Sequence, residues 1–231
     1  MNKTRRNYVI AAGLFLAFII YTVIIATVDV QEVVVGTHKI KIGLASLNKG
    51  VFESLGTSDF WYSISKYLGY AAILVVGCFG LIGLFQMIQR KNFFRTDVEI
   101  LVLGAFYVIM GICYILFEII VINYRPVLEE GQLEASFPSS HTMLVCCVMG
   151  TAILQIRRLV KNEVVSLIGT VLCFATIALM IVSRLLSGIH WVTDIVGGIM
   201  ISTSLIMLYV AVVGSCKKKL HRLLKRNKKY K

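Results

Sequence analysis

Seven side chains of this sequence are of the types that bind or transfer a phosphoryl group. They are two arginines, two serines, two histidines and one aspartate: Arg125, Arg184, Ser139, Ser140, His141, His190 and Asp194. All of them lie at the ends of long apolar runs, where an ionisable group is costly and is by default a candidate functional residue. Because arginine binds phosphate through paired N–H donors, this set predicts a phosphate site.

The two histidines are suited to different steps of such chemistry. His190 and Asp194 are four residues apart and share a face if a helix begins there, so the carboxylate can accept one ring N–H and leave the other nitrogen as a nucleophile. His141 follows Pro138-Ser139-Ser140 at a predicted helix N-terminus, where free N–H groups and serine hydroxyls favour an anion. The alternatives are a structural His–Asp pair, and a capping serine followed by a core histidine.

Other charged residues near these stretches have simpler interpretations. Either arginine taken alone is equally consistent with an interfacial side chain that extends to lipid head groups. Glu129, Glu130 and Glu134 lie on the connecting loop, and we expect them to be solvated at the mouth of the site. No carboxylate cluster suited to magnesium stands with the candidate residues, so we expect no metal and no cofactor.

The elements that position these residues are apolar helices. The 231 residues are 58% hydrophobic and 16% charged, with a mean hydropathy of +0.81, which excludes a disordered chain and an ordinary water-soluble domain. A spanning helix needs about 20 apolar residues. Six runs reach or approach that length: 8–28, 67–88, 100–122, 141–156, 164–183 and 192–215. Because backbone groups in hydrocarbon must pair internally, we predict an all-α polytopic membrane protein with a bundle of six transmembrane helices.

Positive charge is distributed unequally around these helices. If the N-terminus is inside, the segments 1–7, 89–99, 157–163 and the tail after 216 hold 18 of the 24 lysines and arginines. We therefore predict that both termini are cytoplasmic and that the three site stretches meet at the extracytoplasmic side of a cell membrane.

The chain is expected to form one membrane domain over residues 1–216, followed by a basic cytoplasmic tail at 217–231. Its formal charge of +12 is read as an orientation signal that contacts anionic lipid; nucleic-acid binding is the rival interpretation, and we expect no such partner. Residues 29–59 are expected on the outer side, with a short strand or an interfacial helix.

Three motifs of this chain resemble the signature stretches of the type 2 phosphatidate phosphatase (lipid phosphate phosphatase) superfamily. They are Arg125-Pro126, Pro138-Ser139-Ser140-His141, and Ser183-Arg184 with His190 and Asp194. The third signature, which is Ser-Arg, five residues, His, three residues and Asp, is matched in full. The second usually has glycine where this chain has Ser140. The resemblance covers about residues 95–215.

The first signature departs from the family pattern at Glu118. A lysine normally stands there, seven residues before the arginine, and a carboxylate cannot donate to a phosphate. We expect Glu118 to pair with an arginine, to adjust the electrostatics of the site, or to face a cationic group of the substrate. We therefore expect this chain to differ from the family pattern in its phosphate affinity or in its preferred head group.

The resemblance implies hydrolysis of a lipid phosphomonoester or pyrophosphate through a phosphohistidine, without metal. It implies that His190, oriented by Asp194, attacks phosphorus, and that His141 is first acid and then base. The phosphoryl oxygens are held by four residues: Arg125, Arg184, Ser139 and Ser140. Undecaprenyl pyrophosphate in a bacterial envelope is the first substrate candidate, followed by phosphatidate or phosphatidylglycerophosphate. A lipid phosphotransferase and a non-catalytic lipid-binding protein are the alternatives, and the oligomeric state stays open.

Overall fold

The structure is a computed structural model that describes residues 2–91 and 96–228. Its elements, in chain order, are α1 (Lys3–Thr27), β1 (Gln31–Val35), β2 (His38–Ile42), α2 (Ala45–Leu55), α3 (Asp59–Arg90), α4 (Val98–Ile119), α5 (Ser140–Leu159), α6 (Glu163–Ser187) and α7 (Val192–Lys228). In the described ranges, six helices are long and apolar enough to cross a membrane, and α2 is the exception. The prediction of a six-helix membrane bundle is confirmed.

Helix α5 lies inside the bundle and packs against α3, α4, α6 and α7. It is the least apolar and the most buried of the six long helices, because protein rather than lipid covers most of its surface. This explains why the fourth apolar run of the sequence is short. The core around α5 is built from large apolar side chains of five helices, including Phe18, Leu103, Met143, Met180 and Ile201. Within a bilayer such contacts stabilise mainly through close packing.

Residues 31–55 form a cover over the connection between α6 and α7. Strands β1 and β2 pair antiparallel, with Val33 opposite Ile40, so the expected short strand and the expected helix are both present. The apolar face of this hairpin packs on the buried ring of Trp191. In addition, the buried Asn48 amide donates to Thr193 Oγ1 over 3.0 Å. The cover therefore holds both Trp191 and Thr193 in place.

Several helix boundaries differ from the predicted spans. Helix α3 begins at Asp59, eight residues before the predicted run, because its first two turns mix polar with aromatic residues and so fall outside the continuous apolar stretch. Helix α7 begins at Val192, as its predicted run does, so His190 precedes the helix and the condition for a helical face shared with Asp194 is not met. At its other end α7 continues to Lys228, past residue 216, where the sequence placed the start of the tail.

The C-terminus of α6 ends on a glycine that no other residue type can replace easily. Gly188 has φ +66°, and a Cβ there would overlap the Gly56 carbonyl oxygen and lie 2.9 Å from Thr57 Cγ2. The same contact includes a hydrogen bond of 3.2 Å from the Ser58 N–H to the Ser187 carbonyl. Helix α6 is thus closely packed against the start of α3.

We expect Gly188→Ala to destabilise the protein more than Gly131→Ala, measured as thermal unfolding in detergent. Gly131 also has a positive φ, of +79°, but no heavy atom lies within 4 Å of its added Cβ. Gly131→Ala therefore adds only backbone strain, about 1–2 kcal/mol, whereas Gly188→Ala adds a steric clash. Equal losses in the two variants would contradict the close packing of α6 against α3.

Candidate active site

The guanidinium of Arg184 joins both histidines at one end of the bundle. Arg184 lies in the last turn of α6 and is 1% exposed. Its Nη2 is 2.8 Å from His190 Nε2 and 3.5 Å from His141 Nδ1, and its Nη1 donates to Ser65 Oγ over 3.2 Å. Its Nε is buried and has no hydrogen-bond partner among the described residues. The structure thus brings together side chains from α3, α5, α6 and the α6–α7 connection.

A serine hydroxyl stands between His190 and Asp194. The predicted direct hydrogen bond is absent, because His190 Nδ1 and Asp194 Oδ2 are 3.8 Å apart. Ser136 Oγ lies 3.0 Å from His190 Nδ1 and makes a short hydrogen bond to Asp194 Oδ2. The spacing argument assumed that a helix includes both residues, whereas α7 begins two residues after His190.

The hydrogen bonds assign the tautomer of His190. An arginine only donates, so His190 Nε2 accepts from Arg184. His190 Nδ1 then carries the proton and donates to Ser136, whose hydroxyl donates in turn to Asp194. Burial lowers the pKa of His190 well below its ordinary value, and the charges of Arg184 and Arg125 lower it further. The ring is therefore neutral at pH 7, with its Nε2 lone pair facing the guanidinium.

Asp194 also holds the first turns of α5 and α7 together. It is the third residue of α7, and its carboxylate accepts the N–H of Trp191 over 2.9 Å, which satisfies a free donor at the start of that helix. The carbonyl of Asp194 accepts the Ser139 N–H over 2.9 Å. Ser139 is the fully buried N-cap of α5, and its hydroxyl accepts from Thr142. The first N–H groups of α5, from Ser140 onward, have no partner within the helix.

Arg125 is occupied by two acidic side chains of the loop that follows it. Its guanidinium pairs with Glu129 and, over 2.9 Å, with Glu134, and its Nε donates to the Ala135 carbonyl over 3.3 Å. The Tyr62 hydroxyl donates to Glu129 as well. The expectation that the glutamates are solvated is wrong for Glu129, whose paired side chain is 23% exposed, whereas Glu134 keeps 41% of its side chain exposed and Glu130 is exposed. The loop folds back on itself through an antiparallel bridge between residues 124 and 135, which turns its carboxylates toward the arginine.

Glu118 lies at the edge of the site without an ion pair to any residue that the structure describes. It lines a small recess with Tyr114, Ser136 and Ser140. The expected pairing of Glu118 with an arginine is therefore not found. Its carboxylate is exposed near the start of α5, in the charge field of Arg125 and Glu134.

Two apolar cavities run from His141 along the seam between α3 and α4. The nearer, of about 300 Å³, is lined by His141, Ser140 and apolar residues that include Ile73 and Met110. The farther, of about 630 Å³, begins one helical turn away on both helices, at Val76 and Tyr107, and continues along the seam. An apolar chain attached to a group at His141 has room in this direction.

Sequence reasoning missed Ser136 and Ser65. Ser136 directly precedes the Phe-Pro-Ser-Ser-His stretch, and this adjacency is a signal that could have been used, whereas its burial is seen only in the structure. Ser65 is one of two serines, with Ser63, just before the predicted second span, and nothing in the sequence distinguishes it from an interfacial serine. Its position against Arg184 depends on how α3 packs on α6.

The fold and this cluster define a polytopic helical membrane protein with a buried arginine–histidine–serine–aspartate site at one end of its bundle. Residues 120–218 match the PAP2 superfamily. The resemblance drawn from the three motifs is thereby confirmed over residues 120–218, the part of the chain that carries all three motifs.

Comparison with solved structures supports the same fold. The chain is similar, with a TM-score of 0.59, to the crystal structure of the first transmembrane PAP2 type phosphatidylglycerolphosphate phosphatase from Bacillus subtilis. The two are 21% identical, and the match covers 90% of this chain and 96% of that one. Comparison with curated protein sequences gives no match.

We expect Ser136→Ala to lower the free energy of unfolding by about 1–3 kcal/mol, because it removes a donor from a buried carboxylate. Ser202→Ala is the matched control. The Ser202 hydroxyl is equally buried, but its acceptors are uncharged backbone carbonyls, Gly198 of its own helix at 2.6 Å and Met143 of α5 at 3.3 Å. Its removal is expected to cost less than about 1 kcal/mol. Denaturant unfolding in detergent measures both variants, and equal costs would show that Ser136 does not stabilise Asp194.

Proposed function

We propose that this protein is a phosphatase of a membrane lipid phosphate or pyrophosphate that acts through a phosphohistidine. The observation that carries the proposal is the contact of one buried guanidinium with two imidazoles, with His190 Nε2 as an acceptor. This arrangement provides an anion-binding group, an unprotonated nucleophile and a second imidazole within one cluster.

The first step is binding of the phosphoryl group at Arg184. A phosphate oxygen is a stronger acceptor than an imidazole nitrogen, so Nη2 turns from His190 to the phosphate and frees the lone pair of Nε2. The unpaired Nε of Arg184 supplies a second donor. Ser139 and Ser140, with the free N–H groups that begin α5, bind the remaining oxygens. Arg125 joins when the phosphate replaces one of its carboxylate partners.

The chemical steps then follow from the positions of the two imidazoles. His141, which accepts from Arg184 in the structure, takes up a proton when the anion binds and displaces that contact. His190 Nε2 then forms a bond to phosphorus while the bond to the leaving oxygen breaks, and His141 as imidazolium gives that oxygen a proton. The positive charge that develops on His190 is stabilised through Ser136 by Asp194. His141, now neutral, accepts a proton from a water that attacks phosphorus, the N–P bond breaks, and the starting state returns. These steps use no metal ion.

The apolar cavities beside His141 support a lipid as the substrate. A soluble phosphate ester has no apolar chain that could fill these cavities. They measure about 300 Å³ next to the site and a further 630 Å³ along α3 and α4. Undecaprenyl pyrophosphate, phosphatidate and phosphatidylglycerophosphate all carry such chains, and the last is what the Bacillus subtilis neighbour is named for. With 18 of 24 cations on the opposite side, we propose that the site faces the extracytoplasmic leaflet.

We expect wild-type protein, incubated with a radiolabelled lipid phosphate and quenched in alkali, to carry label on histidine. His190→Asn should carry none and should lower phosphate release by roughly four orders of magnitude. His141→Asn should accumulate label, because the water that clears the intermediate is no longer activated. The matched control is His38→Asn, since His38 is exposed on β2 away from the cluster.

Chelation tests the same proposal independently. Phosphate release in EDTA should equal release without it, and a loss that magnesium restores would contradict the phosphohistidine mechanism. A panel of lipid phosphates and pyrophosphates in detergent then ranks the substrates.

A lipid phosphotransferase is the second candidate function, and Glu118 is the feature that favours it. Its unpaired carboxylate beside Ser140 is able to accept a hydrogen bond from an acceptor alcohol or to bind a cationic head group. The acceptor then replaces water in the second step.

We expect Glu118→Lys to lower the KM for a lipid phosphate about tenfold, since it exchanges repulsion for attraction of the phosphate. Glu130→Lys changes the charge equally on an exposed loop residue and should shift KM less than twofold. The assay also compares release of inorganic phosphate with transfer to an added alcohol. If Glu118 selects a cationic group or an acceptor, Glu118→Lys lowers transfer selectively; a higher KM would contradict the electrostatic argument.

A further inference from the structure

A second, strongly basic cleft lies at the end of the bundle opposite the candidate active site. Helices α1 and α7 pack along their whole shared length, from the bond between Tyr21 and Thr193 near the site to the bond between Tyr8 and Ser215. At this end the two helices border a cleft of about 560 Å³. The cleft is lined by Asn2, Thr4, Arg5, Tyr8, Ser215, Lys218, Lys219 and Arg222.

Both helices contribute residues to this cleft, and their spacing places them on the faces that line it. On α7 they fall at positions i, i+3, i+4 and i+7, which is one continuous face of a helix. On α1 they belong to the first turns, where the N–H groups lack helical partners and the helix dipole is positive. The first turn of α1 contains no acidic residue. Two helices thus present positive charge to one space.

The cations of the cleft have no counter-charge, in contrast to two other cations at the same end of the bundle. At the same end of the bundle, Arg158 pairs with Asp97 and Glu99, and Lys217 pairs with Glu99. None of the four cleft cations, Arg5, Lys218, Lys219 and Arg222, has an acidic partner within 4 Å among the side chains that the structure describes. Four like charges in so small a space repel unless an anion lies between them.

The surroundings of the cleft indicate what kind of anion this is. Immediately beyond it, α1 exposes a row of apolar side chains in the membrane-spanning segment, beginning with Val9 and Ile10. A ligand that satisfies both regions has an anionic head and apolar chains. We propose that the cleft binds the phosphate-bearing head group of an anionic phospholipid, as a site separate from that of the substrate. With four cations, it favours a head group with two phosphates over one with a single phosphate.

The experiment measures lipid binding by the full-length protein in a zwitterionic detergent. The probes are a diphosphatidylglycerol, phosphatidylglycerol, phosphatidylcholine and inorganic phosphate, and the readouts are bound lipid by native mass spectrometry and the shift in thermal unfolding. We expect the greatest shift with the diphosphatidylglycerol, a smaller one with phosphatidylglycerol, and none with phosphatidylcholine or inorganic phosphate.

Two triple variants separate a defined site from general charge attraction. The variant Lys218→Gln, Lys219→Gln, Arg222→Gln should weaken diphosphatidylglycerol binding roughly a hundredfold. The control, Lys91→Gln, Arg157→Gln, Lys161→Gln, removes three exposed cations from other cytoplasmic segments in the predicted topology and should weaken binding less than threefold. Equal losses in the two triples, or equal shifts with inorganic phosphate and lipid, would overturn the proposal.

A third variant covers the case in which the α7 triple does not fold. Arg5→Gln changes the opposite wall of the cleft, on α1, and leaves α7 intact. It should lower diphosphatidylglycerol affinity roughly five- to tenfold, and an unchanged affinity would overturn the proposal. Phosphate release by Arg5→Gln in phosphatidylcholine should equal that of the wild type, so this test does not depend on the substrate or the reaction.

Discussion

The need to satisfy one buried guanidinium organises the site. Arg184 is 1% exposed and, as an arginine, keeps its charge, so the fold must supply acceptors around it. It supplies neutral ones: two imidazole nitrogens and the hydroxyl of Ser65. Because no carboxylate of residues 2–91 and 96–228 pairs with Arg184, its charge remains available to an incoming anion. Because Arg184 only donates, it also fixes the tautomer of His190, and that tautomer determines the direction of the hydrogen bonds from His190 through Ser136 to Asp194.

The two arginines of the site therefore have different roles. Arg184 is surrounded by neutral acceptors, whereas Arg125 is paired with Glu129 and Glu134 and with a backbone carbonyl. A phosphate that binds Arg184 displaces only weak acceptors, but one that binds Arg125 must compete with a carboxylate. Arg184 is thus the primary phosphate ligand in the proposed mechanism. Arg125 acts at longer range, where its charge helps to keep His190 unprotonated.

The sequence predicted those parts of the structure that depend on local pattern. Six apolar runs indicated six helices because hydrocarbon leaves the backbone no other choice. The spacing of Arg184, His190 and Asp194 indicated one cluster because all three flank a single short connection. Ser136 and Ser65 were not found, since their importance arises from contacts 54 and 119 residues away in the chain. The direct His190–Asp194 bond was wrong for a local reason, namely that α7 begins two residues later than the spacing argument required.

The two ends of the bundle differ in how their positively charged side chains are exposed. At the site, one arginine is buried and rigidly held, so a bound anion meets donors that are already oriented and desolvated. At the other end, four cations stand at the mouth of an open cleft, where each keeps most of its hydration and its mobility. The first arrangement favours transition-state stabilisation, because its geometry is fixed before the anion arrives. The second favours reversible binding of a head group, because several weak and screened attractions add without any one of them being required. Helix α7 contributes to both ends, with Asp194 in its first turn and three cations on one face near its last described side chains.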